Sequence, residues 1–227
     1  MPCFGRKTEA QVIYDTISHN HDGRFGFTVY RCVYGNDEEW SRFMERLTAH
    51  AHADLDRDPY GHLVKPLIVW NVQDNETELD GQSGTPTFDP FSIFRDWVRS
   101  VKDDQSLSRY AHCIHADAEV VQSVLTGGEP GSRTPDDILR PKGFVNVIDL
   151  QFKEQPEQLG PEDISDDEER QEHNDGDEGY PPIEGCKRED VGWMKVAARM
   201  LVPGAYQLLM KNGWPVVYVR PPQVLIG

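Results

Sequence analysis

The sequence predicts an α+β protein, with a single mixed sheet of about five to six strands and its helices packed mainly on one face. Three observations carry this expectation. Apolar segments of strand length alternate with segments of helical periodicity in the order β-α-β-α-β-α-β, then an acidic stretch, then β-α-β. Polar residues stand inside the strand-like segments, at Arg31, Asn71, His112 and Asn146, which argues against strands buried on both faces as in an all-parallel sheet. A chain of 227 residues is long enough for one good core and little more, so residues 25–227 are expected to form one domain.

Residues 1–24 are polar and irregular and are expected to be a flexible N-terminal segment, ending in the turn-like "SHNHDG". The first strand is "FGFTVYRCVY", residues 25–34, rich in aromatic and β-branched residues and apolar on both faces, which places it centrally in the sheet. "GNDEEW" opens a helix: Asn36 caps the free backbone N–H groups and Glu39 stands where a capping-box partner belongs. Trp40, Phe43, Met44, Leu47 and Ala51 then fall on one stripe.

"PLIVWNV" reads as the second strand, and "FDPFSIFRDWVRSV" as a helix with Asp89 as cap and Pro90 at its first position. "RYAHCIHA" is the third strand, running into Asp117 as cap of a short helix that bears Val120, Val121, Val124 and Leu125 and stops at Gly127 and Gly128. "GFVNVIDL" is the fourth strand. Beyond the acidic stretch, "VGWMKVAARML" reads as a strand, "PGAYQLLMKNG" as a short helix and "WPVVYVRPP" as a final extended segment.

The formal net charge is −16, which disfavours nucleic acid and anionic lipid as partners. Residues 162–178 hold ten acidic side chains and one basic, a local balance of −9 that leaves −16 − (−9) = −7 for the remaining chain. Composition of this kind predicts a disordered, self-repelling insertion over residues 157–179. It is not an EF-hand, because aligning Gly176 or Gly179 to the glycine position fills the preceding ligand positions wrongly. No signal-peptide core and no apolar run of membrane-spanning length is present, so a cytoplasmic protein without membrane contact is expected. Cys3, Cys32, Cys113 and Cys186 are far apart with no CxxC pair, fitting reduced thiols rather than disulfides or a zinc site.

Candidate sites are few. His19 with His21, and His50 with His52, look like ligand pairs but lack a third ligand and are read as exposed surface histidines; no metal and no cofactor is predicted. In "AHCIHAD" strand alternation puts Cys113, His115 and Asp117 on one face at the end of a strand leading into a helix, where α/β sites are commonly built. Neighbours on one strand face lie about 7 Å apart, too far for direct proton transfer. Arg31, in the middle of an apolar strand, either clamps an anionic ligand group or forms a structural ion pair, for instance with Asp149. The glycine-rich "TGGEPGSRTP" follows a helix and lacks the Lys-Ser/Thr ending of a P-loop, and no GxSxG or HExxH is present.

The set "FGFTVYRCVYGNDEEWSRFMERL", "RYAHCIHADAE", "GFVNVIDL" and "DVGWMKV" resembles a family of uncharacterised filamentous-fungal proteins. In that family an aromatic-Tyr-Arg strand precedes an acidic-capped helix carrying a Trp, and an acidic insertion precedes a Gly-Trp-Met motif. The resemblance implies a fungal, intracellular, single-domain protein and carries over no catalytic residue. Two functions are therefore expected to compete. One is an interaction module that engages a basic protein partner through the acidic insertion or the sheet face. The other is a small enzyme of fungal specialised metabolism, acting on a small-molecule ligand in a cleft built from Arg31, Cys113, His115 and Asp117.

Overall fold

Strand β1 (Phe25–Arg31) is the axis of the structure, a computed structural model that describes residues 6–19, 23–79, 108–135, 140, 142–150, 152, 178–183 and 185–226. Every residue of β1 is buried, as its two apolar faces require. It pairs in parallel with β2 (Ile68–Gln73) on one side and β3 (His112–Ala116) on the other. Beyond β3 follow the antiparallel β4 (Phe144–Asp149), then β5 (Trp193–Ala197) antiparallel to β4, then β6 (Val224–Leu225) parallel to β5. The result is one mixed six-stranded sheet in the order β2-β1-β3-β4-β5-β6. The chain goes from β1 to β2 on one side and returns across β1 to β3. The C-terminal ends of β1 and β3 therefore flank the point where strand order reverses, the place where open α/β sheets form ligand crevices.

Register decides the two faces, because residues paired across adjacent strands point to the same side. Pairings of Phe27 with Trp70, Val29 with Ile114, Ile114 with Val147 and Val147 with Met194 define an apolar face. Among the described residues, α2 (Asp37–Leu55) and the C-terminal helical segments pack there. Thr48 of α2 accepts a 3.0 Å hydrogen bond from Trp70 Nε1. Tyr206, at the start of a later helix, meets the rings of Phe25 and Phe27 edge-on at 5.2 and 5.5 Å. Trp214 stacks on His112 at 5.6 Å.

Local chemistry sets the helix ends. Asn36 Oδ1 accepts the Glu39 N–H at 3.1 Å, and α2 then buries Trp40, Phe43, Leu47, Ala51 and Leu55 along one stripe. Each large apolar side chain buried in this way contributes about 1.5–3 kcal/mol before entropy is counted. The chain turns sharply after α2, and a Cβ on Gly61 would stand 1.8 Å from the Leu55 carbonyl, so only glycine fits the start of α3 (Gly61–Val64). Asp117 Oδ1 accepts the Val120 N–H at 2.8 Å and starts α4 (Ala118–Thr126) as the sequence leads one to expect. Arg46 of α2 closes the other end of α4. Its Nε donates to the Val124 carbonyl at 2.8 Å and its Nη2 to those of Gly127 and Gly128 at 3.0 Å, a cation placed on the negative end of the helix dipole.

Three expectations need correction. Within the segment 1–24, expected to be irregular, residues Glu9–Ile17 form α1 and bury Ala10, Ile13 and Ile17 completely. Its start is held by Asp58, whose carboxylate accepts from the Thr8 hydroxyl at 2.8 Å and from the Ala10 N–H at 3.2 Å. The strand expected over "VGWMKVAARML" stops at Ala197; after turns over Ala198–Met200 and Leu201–Ala205 the chain enters α5 (Tyr206–Asn212). The segment expected to be extended at "WPVVYVRPP" begins instead as a helical turn, α6 (Trp214–Val217), with Pro215 in its first turn, where the missing N–H costs nothing. The helix expected over residues 89–101 lies outside the described residues.

The acidic insertion leaves the sheet between β4 and β5. Residues 153–177 lie outside the described residues, but both limbs are anchored. Ile148 pairs with Trp193, and the Asp149 N–H donates to the Gly192 carbonyl at 3.0 Å. The returning limb is tied to the C-terminal segment: Trp214 Nε1 donates to Asp190 at 2.9 Å, the Tyr218 hydroxyl to the Glu189 carbonyl at 2.9 Å, and Arg220 to the carbonyls of Arg188 and Pro181 at 2.9 and 2.8 Å.

Candidate functional site

Of the four candidate residues, Arg31, His115 and Asp117 lie near the C-terminal ends of β1 and β3 and Cys113 lies deeper in the sheet; they do not form one cleft. Arg31 pairs in register with Ala116, one residue beyond His115, so it projects on the apolar side while Cys113 and His115 project on the other. Its side chain is 7% exposed and its nitrogens are engaged: Nη2 on Asp37 at 2.5 Å, Nη1 on Asp74 at 3.2 Å and Nε on the Val33 carbonyl at 3.1 Å. The rings of Tyr34 and Trp40 lie 4.8 and 5.2 Å from its guanidinium carbon. Burial opposes the charge, and the hydrogen bonds to Asp37 and Asp74 outweigh it, leaving the pKa above its ordinary value. Arg31 is thus a structural ion pair, with Asp37 and Asp74 rather than Asp149 as partners. Asp149 lies at the opposite end of the sheet, 3.8 Å from His112.

Cys113 is fully buried in the core. Burial, then the neighbouring Cys32 and Asp149, push its thiol well above the ordinary value, which removes the thiolate a nucleophile needs. Cys32 is likewise raised to about 12 by burial and then by Asp117. Cys113 thus stands in the core rather than on the rim of a cleft. His115 and Asp117 do approach, with Nδ1 and Oδ2 3.8 Å apart, but the other oxygen of Asp117 caps α4. His50, expected at the surface, is buried in α2, and neither ring nitrogen has a hydrogen-bond partner. Burial, then Arg46, holds its pKa below the usual imidazole range.

A different set of side chains comes together. Register links Gln73 of β2 to Tyr30 of β1, Tyr30 to His115 of β3, His115 to Asn146 of β4, and Asn146 to Lys195 of β5. These five form a polar row across the face opposite α2. One pleat toward the N-terminal end of β1, Asn71 donates to Thr28 at 3.5 Å on the same face. Lys195 Nζ is 2.8 Å from Glu119 in the first turn of α4 and lies 4.0 Å from the Phe144 ring centroid. Asn146 is only 7% exposed, and its Oδ1 is fully buried without a hydrogen-bond partner. The Tyr30 hydroxyl is raised by burial, then by Cys113, and stays protonated at neutral pH. Donors, an acceptor and ring surfaces therefore stand side by side across adjacent strands. Sequence reasoning marked Asn71 and Asn146 as polar positions inside strands, but only the register joins Asn146 to Lys195.

Among the described residues, no group of three or more His, Cys, Asp and Glu side chains is placed to hold a metal ion, and no helix is long and apolar enough to cross a membrane. Compared with protein-family models, curated proteins and solved structures, the chain matches none.

Proposed function

We propose that the chain is a protein-binding module that presents its acidic segment to a basic protein partner. The observation that supports this reading is the closure of the insertion. The chain leaves the sheet at Asp149 and returns at Gly192, adjacent positions of the β4–β5 pair, so the −9 segment between them is tethered at both ends rather than carried on a free tail. Pinning the ends limits the conformations that binding must freeze. The enzyme reading is weakened by the structural duties of Arg31 and by the buried, protonated thiol of Cys113.

The test is a fluorescence-anisotropy titration of a labelled decalysine peptide with the full chain at low and physiological salt. Binding that weakens steeply with salt and disappears when residues 162–178 are deleted is the expected result. Affinity that is independent of salt, or that survives the deletion, overturns the proposal.

A further inference from the structure

We propose that the polar face of the sheet carries a ligand site centred on Asn146, for a small planar molecule with an amide-type edge, a donor and an acceptor side by side as in a nucleobase or a primary carboxamide. Two independent observations converge on it. The first is the in-register row Gln73, Tyr30, His115, Asn146 and Lys195, which crosses five strands near the C-terminal ends of β1 and β3, where the strand order reverses. The second is the buried Asn146 Oδ1, which has no hydrogen-bond partner.

A buried acceptor left without a donor costs about 1–3 kcal/mol, and a leucine of similar shape would avoid that cost. Keeping the amide is therefore accounted for by a donor that arrives from outside the chain. The neighbours narrow its chemistry. A metal cation is disfavoured by the Lys195 ammonium in the next strand. A simple anion would meet Lys195 but would offer nothing to Oδ1, which requires a donor. A ligand with adjacent donor and acceptor satisfies both atoms of the Asn146 amide, the same bidentate logic by which asparagine reads an adenine edge.

The row also has an approach and a wall. His115 and Lys195, on either side of Asn146, keep 22% and 13% of their side chains exposed, so both flanks of the buried amide reach solvent. An ammonium has three donors, of which Glu119 takes one, and the others can meet a carbonyl of the ligand. The rings of His115 and Phe144, both half-buried on the same face, give a planar molecule surfaces to lie against.

Saturation-transfer NMR on the full chain, with adenine, uracil and nicotinamide each as probe, tests the site. Transfer to the ring protons of at least one probe is expected for the wild type and should be lost in Asn146→Leu, whose unfolding midpoint in urea should equal or exceed the wild-type value. Should Asn146→Leu fail to fold, Asn146→Asp keeps the shape and an acceptor but loses the donor. It should bind the same probe about tenfold more weakly. Deleting residues 162–178 should leave the transfer unchanged, which separates this site from the acidic-segment reading. No transfer from any of the three probes to the wild type, or undiminished binding in the substituted chain, overturns the proposal.

Discussion

On one side of the sheet Phe25, Phe27, Val29, Ile114, Val147 and Val196 meet the helical layer through apolar contact. On the other, Thr28, Tyr30, Cys113 and Asn146 put hydroxyl, thiol and amide groups at comparable depth, with the His115 imidazole nearer solvent. Phe27 and Tyr30 are both 1% exposed, so burial alone does not separate the faces. What separates them is what burial is used for. The apolar face gains from area removed from water, in which neighbours are interchangeable so long as volume is kept. The polar face gains only from particular bonds, and each missing bond is a cost.

Substitutions should respond accordingly. The largest effect is expected from Phe27→Ala, which removes the edge-on contact with Tyr206 and opens a cavity between sheet and helix. Urea unfolding should show a loss of about 3–5 kcal/mol. Val147→Thr keeps the volume and adds one hydroxyl to the apolar face; a loss of about 1–3 kcal/mol is expected, and no loss would break the contrast between the faces. His50 is a buried polar side chain in the helical layer, facing Arg46, Asp54, Glu129 and Arg199. Because its pKa is lowered on folding, the unfolded chain binds the proton first as pH falls below about 6.5. Stability that is complete above that value is lost in acid, by at most about 1.4 kcal/mol per pH unit. The slope between pH 7 and 5 should flatten in His50→Leu. The smallest effect, and the one of opposite sign, belongs to Asn146→Leu, which should be neutral or stabilising by about 1 kcal/mol. A clear destabilisation there would show that the amide is held by the fold itself.

The sequence discloses these parts unequally. The caps at Asn36 and Asp117 and the stripe Trp40, Phe43, Leu47, Ala51 are readable because each signal lies within one or two helical turns. α1 is hard to read although Thr8 accepts from the Gln11 N–H and Ala10, Ile13 and Ile17 recur at helical spacing, since small and polar residues between them dilute the pattern. The β-branched run of "WPVV" favours a strand by propensity, yet its indole bonds Asp190 and stacks on His112, and tertiary contact prevails. The site is harder still. Alternation within one strand correctly places Cys113 and His115 together, but it cannot show that Arg31 belongs to the other face, or that Asn146 stands beside Lys195. Those facts come from strand order and register, which link residues far apart in the chain.

The paired limbs at Asp149 and Gly192 give the molecule a natural port. Closing a longer flexible loop across fixed ends costs only about 0.6 kcal/mol for each doubling of its length. A fluorescent reporter whose own termini lie close together could replace residues 162–178, with the host sheet continuing through Ile148 and Trp193 as before. The same closure means that the segment can lengthen, shorten or trade its charge over evolutionary time while the domain that carries it keeps its shape.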